Sequence, residues 1–250
     1  MSRRHLPRTT RWVVRILRPI LMLLTRRDWR GADRLPAGGY VLAPNHISHL
    51  DPILLGHWMV DHGITPRFLA KDTLFGVPVI GPIVRTAEQI PVHRSTEGAA
   101  QSLRSAVEAV RAGKVVTIYP EGTITRDPDL WPMEGRTGAV RVALETGLPL
   151  VPLAQWGAQD ILYPYTKRPR FLPRKTIHVH VGDPVDLADL QGRPLTEDLL
   201  HEATHRLTDR LTEMVADLRG ERPTGPRVDV RTLAKPRSSY RPTDDTPKEP

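Results

Sequence analysis

The sequence predicts an α/β domain with a mostly parallel central sheet flanked by helices, led by a basic amphipathic helix. Three observations predict it. From Tyr40 to Leu218, short β-branched runs alternate with helical stretches. That order lays helices over a parallel sheet. Val115–Tyr119 is a near-continuous apolar run bounded by turn signals, as expected of a strand covered on both faces. The formal charge of +8 is unevenly spread: residues 1–34 hold ten arginines against Asp28 and Asp33, and the remaining residues balance.

A neutral body with one basic end implies a local anionic partner, a membrane surface or a nucleic acid. The residues between the arginines separate the two. On a helix, Arg8, Arg11, Arg15 and Arg18 form one stripe, while Trp12, Ile16, Ile20 and Leu23 lie on another face with Val13, Leu17 and Leu24 beside them. Apolar residues interleaved in this way disfavour nucleic acid. The uncharged run Pro19–Thr25 is far shorter than the roughly 20 residues that a bilayer span requires. No small-residue cleavage site follows it, which argues against a removable signal peptide. A helix lying in the headgroup region of an anionic leaflet fits best. The alternative is a helix packed on the protein's own core. The expected location is the cytoplasmic face of the cell membrane, as a peripheral protein.

The elements follow in order. Tyr40–Pro44 reads as a strand and Leu50–Asp61 as a helix. Arg67–Ala70 and Ile90–His93 are short strand candidates, and Ala99–Arg111 is an amphipathic helix ended by Gly113. Val115–Tyr119 is the buried strand, and Thr137–Glu145 is a helix stopped by Gly147. Leu150–Ala154 and Thr176–Val181 are strands, and Thr196–Leu218 is the last helix. Three regions result: a membrane-binding arm over 1–37, a catalytic domain over 38–220, and a tail over 221–250. The tail is rich in Pro, Arg, Thr and Asp without an apolar period, a composition expected to be disordered. The chain has no cysteine, which excludes disulfides, thiolate zinc sites and a thiol nucleophile.

The chemistry concentrates after the first body strand, at Asn45-His46-Ile47-Ser48-His49-Leu50-Asp51-Pro52. A turn between His46 and Asp51 lets the carboxylate hold one ring nitrogen, leaving the other to take a proton from a hydroxyl. Open α/β sheets place their sites at the C-terminal ends of strands, where this segment falls. A second pair with the same spacing, His178 and Asp183, runs along a strand into a turn and reads as structural. Tyr119-Pro120-Glu121-Gly122-Thr123 puts a carboxylate in a tight turn at the same expected edge. Lys71 follows one short strand and Arg94 another. Gly135-Arg136-Thr137-Gly138 opens a helix whose free N–H groups suit an anion. Arg85 is either a phosphate ligand or a surface charge. His49 is a rival base, while His57 and His62 read as packing or surface groups.

Asn-His-x4-Asp, a strand ending in arginine, Pro-Glu-Gly-Thr, and Leu150-Val151-Pro152-Leu153 occur in the order and spacing of the glycerolipid acyltransferases, and the chain resembles that family from about Gly38 to Gly157. The best-known members are 1-acylglycerol-3-phosphate acyltransferases. The resemblance implies that His46 is the general base and Asp51 its orienting partner. It implies that Arg94, and Lys71 as in some members, hold the acceptor phosphate. Glu121, Gly122 and Thr123 would shape the acceptor pocket, and Pro152 would help wall it. The implied donor is acyl-CoA or acyl carrier protein, with no metal or other cofactor and no acyl-enzyme. The implied acceptor is lysophosphatidic acid or a similar lipid.

One position departs from the pattern. The third motif commonly continues Glu-Gly-Thr-Arg, whereas this chain has Ile124. Arg126 or Arg136 is expected to supply the missing charge, because a phosphate prefers several donors. Two rival readings stand beside this one: acylation of another lysophospholipid or glycolipid hydroxyl, and a non-catalytic lipid-binding protein of the same fold. No Gly-x-Ser-x-Gly elbow supports a serine hydrolase.

Overall fold

The computed structural model describes residues 8–78, 80–92 and 96–229. In chain order the elements are α1 (Arg8–Leu24), β1 (Thr25–Arg30), β2 (Tyr40–Pro44), α2 (Asp51–Asp61), β3 (Leu69–Lys71), α3 (Ile80–Thr86), β4 (Ile90–Val92), α4 (Thr96–Arg111), β5 (Val115–Thr117), α5 (Gly138–Thr146), β6 (Leu150–Trp156), α6 (Ala158–Ile161), β7 (Lys175–Val181) and α7 (Glu197–Arg219). Five strands form the main sheet in the order β1-β7-β6-β2-β5, and β3 and β4 form a second parallel pair. A bridge between Phe68 and Thr117 links the two. Every pairing is parallel except β6 with β7.

Alternation along the central strands explains why both faces are covered. Tyr40 and Leu42 of β2 face α2, packing with Leu54, Leu55, Trp58 and Met59 and with Ile177, Val179 and Val181 of β7. Val41 and Ala43 face the other way, onto α4, α5 and α7 through Val107, Val140 and Leu207. All five residues of β2 are buried. Two-sided burial removes the polar alternation of a half-exposed strand, which is why this segment reads as continuous apolar sequence.

The expected strand Arg67–Ala70 is shifted to Leu69–Lys71, and Val115–Tyr119 pairs only as far as Thr117. Sequence reading missed α3, α6 and β1. The omission of β1 matters more, because Thr25–Arg30 lies within the expected arm 1–37 yet pairs along its length with Lys175–His180. Its sequence, Thr-Arg-Arg-Asp-Trp-Arg, is largely charged, and an edge strand can carry that because one rim meets solvent. The arm therefore divides at Leu24, with a helix before it and a strand of the main sheet after it. The expected tail also divides. Val228 O accepts the Glu134 N–H at 2.9 Å, and Arg227 pairs with Asp209 of α7 at 2.6 Å, so the chain past α7 stays docked there. The remainder of the expected tail lies outside the described residues.

Helix α1 packs against the body along one side, where Leu21 joins the apolar cluster under α2 and Arg18 makes a paired contact with Asp61 at 2.8 and 3.1 Å. The other side is open: Trp12 is 65% exposed, Ile16 59%, Ile20 45% and Leu23 71%. The predicted arginine stripe is thus split, with Arg18 turned inward while Arg11 and Arg15 remain exposed beside the apolar residues. One face of the helix is thus packed on the protein's own core, and the other leaves its large apolar residues exposed. Among the described residues, no helix is long and apolar enough to cross a membrane.

Candidate active site

The C-terminal ends of β2, β5 and β6 share one edge of the sheet, and the loops leaving them build the site. The register brings the start of β1 to the same edge. Lys175 pairs with Thr25, and His178, three residues later, pairs with Trp156 at the end of β6. Helix α1 therefore ends at the same edge of the sheet, with β7 and β6 between β1 and β2.

After Pro44 the chain turns through Asn45–Leu50 into α2. Buried Asn45 is locked to β6: its side chain accepts from Gln155 N at 2.8 Å and donates to Gln155 O at 3.1 Å. The Gln155 side chain in turn donates to Asn45 O at 2.5 Å. This brace holds the next residue, His46. Its Nδ1 lies 2.8 Å from Asp51 Oδ2, and the same oxygen accepts the Ile47 and Ser48 N–H groups at 2.6 and 2.8 Å. The Asp51 carboxylate is wholly buried in the first turn of α2, where the helix dipole favours negative charge. Three donors on one oxygen fix the carboxylate, and the carboxylate fixes the ring. Nδ1 carries the proton in this arrangement, which leaves Nε2 as the acceptor. The His46 side chain keeps 15% of its surface exposed, enough for a reacting group to reach it. Tyr119 stacks on the opposite face of the ring, with centroids 4.2 Å apart and planes 27° apart, and Phe68 stacks behind Tyr119.

Glu121 reaches the backbone of His46. It is buried, and each carboxylate oxygen accepts one backbone N–H: Oε1 from His46 at 2.8 Å and Oε2 from Met133 at 3.1 Å. The backbone of His46 is thereby tied to the chain that closes over β5. Thr125 N donates to His46 O at 2.8 Å and ties it a second time. Burial pushes the Glu121 carboxyl up to about 8, although the two N–H donors oppose the shift. The folded protein thus holds a proton that the unfolded chain releases near the ordinary value of about 4.3. Between these values the unfolded state binds fewer protons, so this group makes stability fall as pH rises. Glu121→Gln should flatten the slope by up to about 1.4 kcal/mol per pH unit. Denaturant midpoints of both proteins from pH 5 to 8 check this, and parallel slopes would refute it.

Gly122 has φ of +66° in this turn, and a Cβ there would meet Arg136 Cδ at 2.9 Å. Only glycine lets the Arg136 stem cross the turn so closely. The crossing is held by Arg136 N donating to Pro120 O at 2.7 Å. Arg136 therefore stands beside Glu-Gly-Thr. Ile124 is buried, with its carbonyl accepting the Tyr165 hydroxyl at 2.6 Å, so the side chain at the usual arginine position turns into the core. Arg126 is half-buried.

Of the other expected site residues, Thr123 is half-buried next to Gly122, and Lys71 is exposed at the end of β3. Arg94 lies outside the described residues. Pro152 sits within buried β6, paired with Ala43. Arg85 is exposed and donates to the Phe75 carbonyl. His49 faces Tyr165 edge-on, with ring centroids 6.4 Å apart. His178 does not pair with Asp183; its Nδ1 lies 2.8 Å from Asp28 Oδ2 on β1, the strand that sequence reading missed. Asn45, Gln155 and Tyr119 were not singled out for a role. Gln155 did carry a signal, as a polar residue directly after the apolar run of β6.

Residues 26–156 match the protein family described as Acyltransferase. The 1-acyl-sn-glycerol-3-phosphate acyltransferase of Bacillus subtilis is 30% identical over 168 residues, covering 67% of this chain and 77% of that protein. The chloroplastic 1-acyl-sn-glycerol-3-phosphate acyltransferase BAT2 of Brassica napus is 31% identical over 140 residues, 55% of this chain, which spans only 39% of that longer protein. Among solved structures, the 1-acyl-sn-glycerophosphate (LPA) acyltransferase PlsC of Thermotoga maritima shares the fold. Its TM-score is 0.62 at 18% identity, over 86% of this chain and 81% of that one.

Proposed function

The chain belongs to the acyltransferase family, and from that premise we propose that it moves a fatty acyl group from an acyl thioester onto the free hydroxyl of 1-acylglycerol-3-phosphate or a closely related glycerol-phosphate lipid. The observation that carries this reading is the His46–Asp51 contact at the C-terminal edge of the sheet, with Nε2 left to accept. In the reaction, His46 Nε2 takes the acceptor's hydroxyl proton as that oxygen attacks the thioester carbonyl. Asp51 stabilises the imidazolium. The tetrahedral intermediate then expels the thiolate, which recovers the proton from His46 and leaves as thiol. The products are the new ester and the free carrier. Arg136, beside the Glu-Gly-Thr turn, and exposed Lys71 supply cations for the acceptor phosphate.

Purified protein incubated with acyl-CoA or acyl carrier protein thioesters and a panel of lysolipids tests the reading through the identity of the product lipid. Phosphatidic acid formed from lysophosphatidic acid supports it. Turnover confined to lysophospholipids with larger headgroups, or to glycolipids, would replace the acceptor. No acyl transfer to any lipid would favour the non-catalytic alternative.

The open face of α1 supports a peripheral position on an anionic membrane, with Trp12, Ile16, Ile20 and Leu23 in the acyl boundary and Arg11 and Arg15 among headgroups. Because α1 ends at the sheet edge that carries His46, this seating turns that edge toward the lipid. Replacing Trp12, Ile16, Ile20 and Leu23 together by serine should lower binding to vesicles of anionic phospholipid at least about tenfold, since each buried CH₂ contributes roughly 0.8 kcal/mol. High salt should weaken the native protein only in part, because screening leaves apolar insertion intact. Sedimentation at low and high salt measures both, and unchanged binding by the fourfold variant would move the membrane contact elsewhere.

A further inference from the structure

Away from the catalytic loops, β1 and β7 bring together three side chains that the proposed reaction does not use. Alternation along β7 puts His178 and His180 on one face, and the parallel register sets Asp28 opposite His178. His178 Nδ1 lies 2.8 Å and His180 Nε2 3.2 Å from the same Asp28 oxygen, and the three donor atoms all fall within 4.8 Å of one another. Neighbouring nitrogen and oxygen ligands about 2.0–2.1 Å from a tetrahedral ion stand roughly 3.3–3.5 Å apart, so both contacts to Asp28 have to open by a few tenths of an ångström when an ion enters. The side chains retain 29%, 22% and 24% of their surface for His178, His180 and Asp28, so an ion from solvent can reach them.

We propose that Asp28, His178 and His180 form a binding site for a divalent transition-metal ion of the zinc class, which ties β1 to β7. Two imidazoles and one carboxylate select a borderline ion such as Zn²⁺ over Mg²⁺ or Ca²⁺, which prefer all-oxygen sets. The ion takes the ring lone pairs in place of the two contacts to Asp28, and water completes the fourth position. Arg30 opposes this arrangement. Its guanidinium grips Asp28 at 2.8 and 3.2 Å, and a cation there repels the ion. The Arg30 side chain is 69% exposed and free to swing away, so it competes without blocking. The site goes beyond the acyl-transfer reading and does not depend on it.

Calorimetric titration of the chelator-treated full chain with ZnCl₂ tests the site, with melting temperature read in parallel. One equivalent of zinc should bind and raise the melting temperature of the native protein, because a ligand that favours the folded state stabilises it. His178→Gln and His180→Gln should each weaken binding about 100-fold or more and abolish the thermal shift. Arg30→Ala keeps all three ligands and should bind zinc more tightly than the native protein, a result that does not depend on the histidine variants folding well. Failure to bind one equivalent, binding that survives both histidine replacements, or an affinity that does not rise in Arg30→Ala would each overturn the proposal.

Discussion

His46→Ala should lower turnover by about 10³-fold or more while leaving the fold intact, because a positioned general base contributes roughly 10²–10⁴-fold and this variant has no substitute. The fold should survive because the structural bonds of residue 46 belong to its backbone. Its N–H donates to Glu121 and its carbonyl accepts from Thr125, and alanine keeps both. The ring itself contributes only the contact to Asp51 and the stack on Tyr119. His178→Ala, at the far pair, should stay within a few-fold of native turnover, since that ring is engaged with Asp28. Steady-state rates with an acyl thioester and lysophosphatidic acid, alongside circular dichroism, check the pair. An active His46 variant beside a dead His178 variant would move the reaction to the other histidine.

Asp51→Asn should cost about 10²–10³-fold in turnover with little loss of stability, and Asp51→Ala should cost both. The difference follows from what surrounds the carboxylate. The Ile47 and Ser48 N–H groups require an acceptor at the Oδ2 position, so an asparagine turns its oxygen there and its NH₂ away. His46 Nδ1 then still finds an acceptor, the amide oxygen, and can keep its proton. What disappears is the negative charge that stabilises the imidazolium as the hydroxyl attacks. Alanine also strands two buried N–H groups, at roughly 1–3 kcal/mol each. Rates and denaturant midpoints of both variants separate these effects. Native turnover in Asp51→Asn would show that the charge plays no part.

Much of this architecture was legible before any coordinates, for physical reasons that can be named. Tyr40–Pro44 and Leu150–Ala154 are buried on both faces, so their strands appear as apolar runs. The His46–Asp51 pair is local, and a six-residue turn carries its own geometry. What was hidden depends on contacts between distant segments. β1 is a charged hexapeptide that becomes a strand only because β7 offers it an edge, and nothing within six residues announces a partner that far away. The same gap misassigned His178, whose carboxylate lies on β1. Glu121 was recognised as part of the site, but its bonds to the His46 and Met133 backbone were not foreseen. Its burial under His46 N and Met133 N comes from the closing of the chain after β5, which spacing does not encode. Arg136 was found on charge alone, and Gly122 supplies the physical reason it reaches the turn.

The pairing of β1 with β7 has a consequence in time. Asp28 and His178 are 150 residues apart, so the first strand of the sheet to leave the ribosome pairs with the last. At synthesis rates of roughly 5–20 residues per second, that interval is about 8–30 s. Throughout it, α1 is attached to an unpaired strand while β2, β5 and their helices already have local partners. A lipid surface that captured α1 in this window would hold the growing chain by its first residues. The sheet would then close from its centre outward, with the anchored edge joining last.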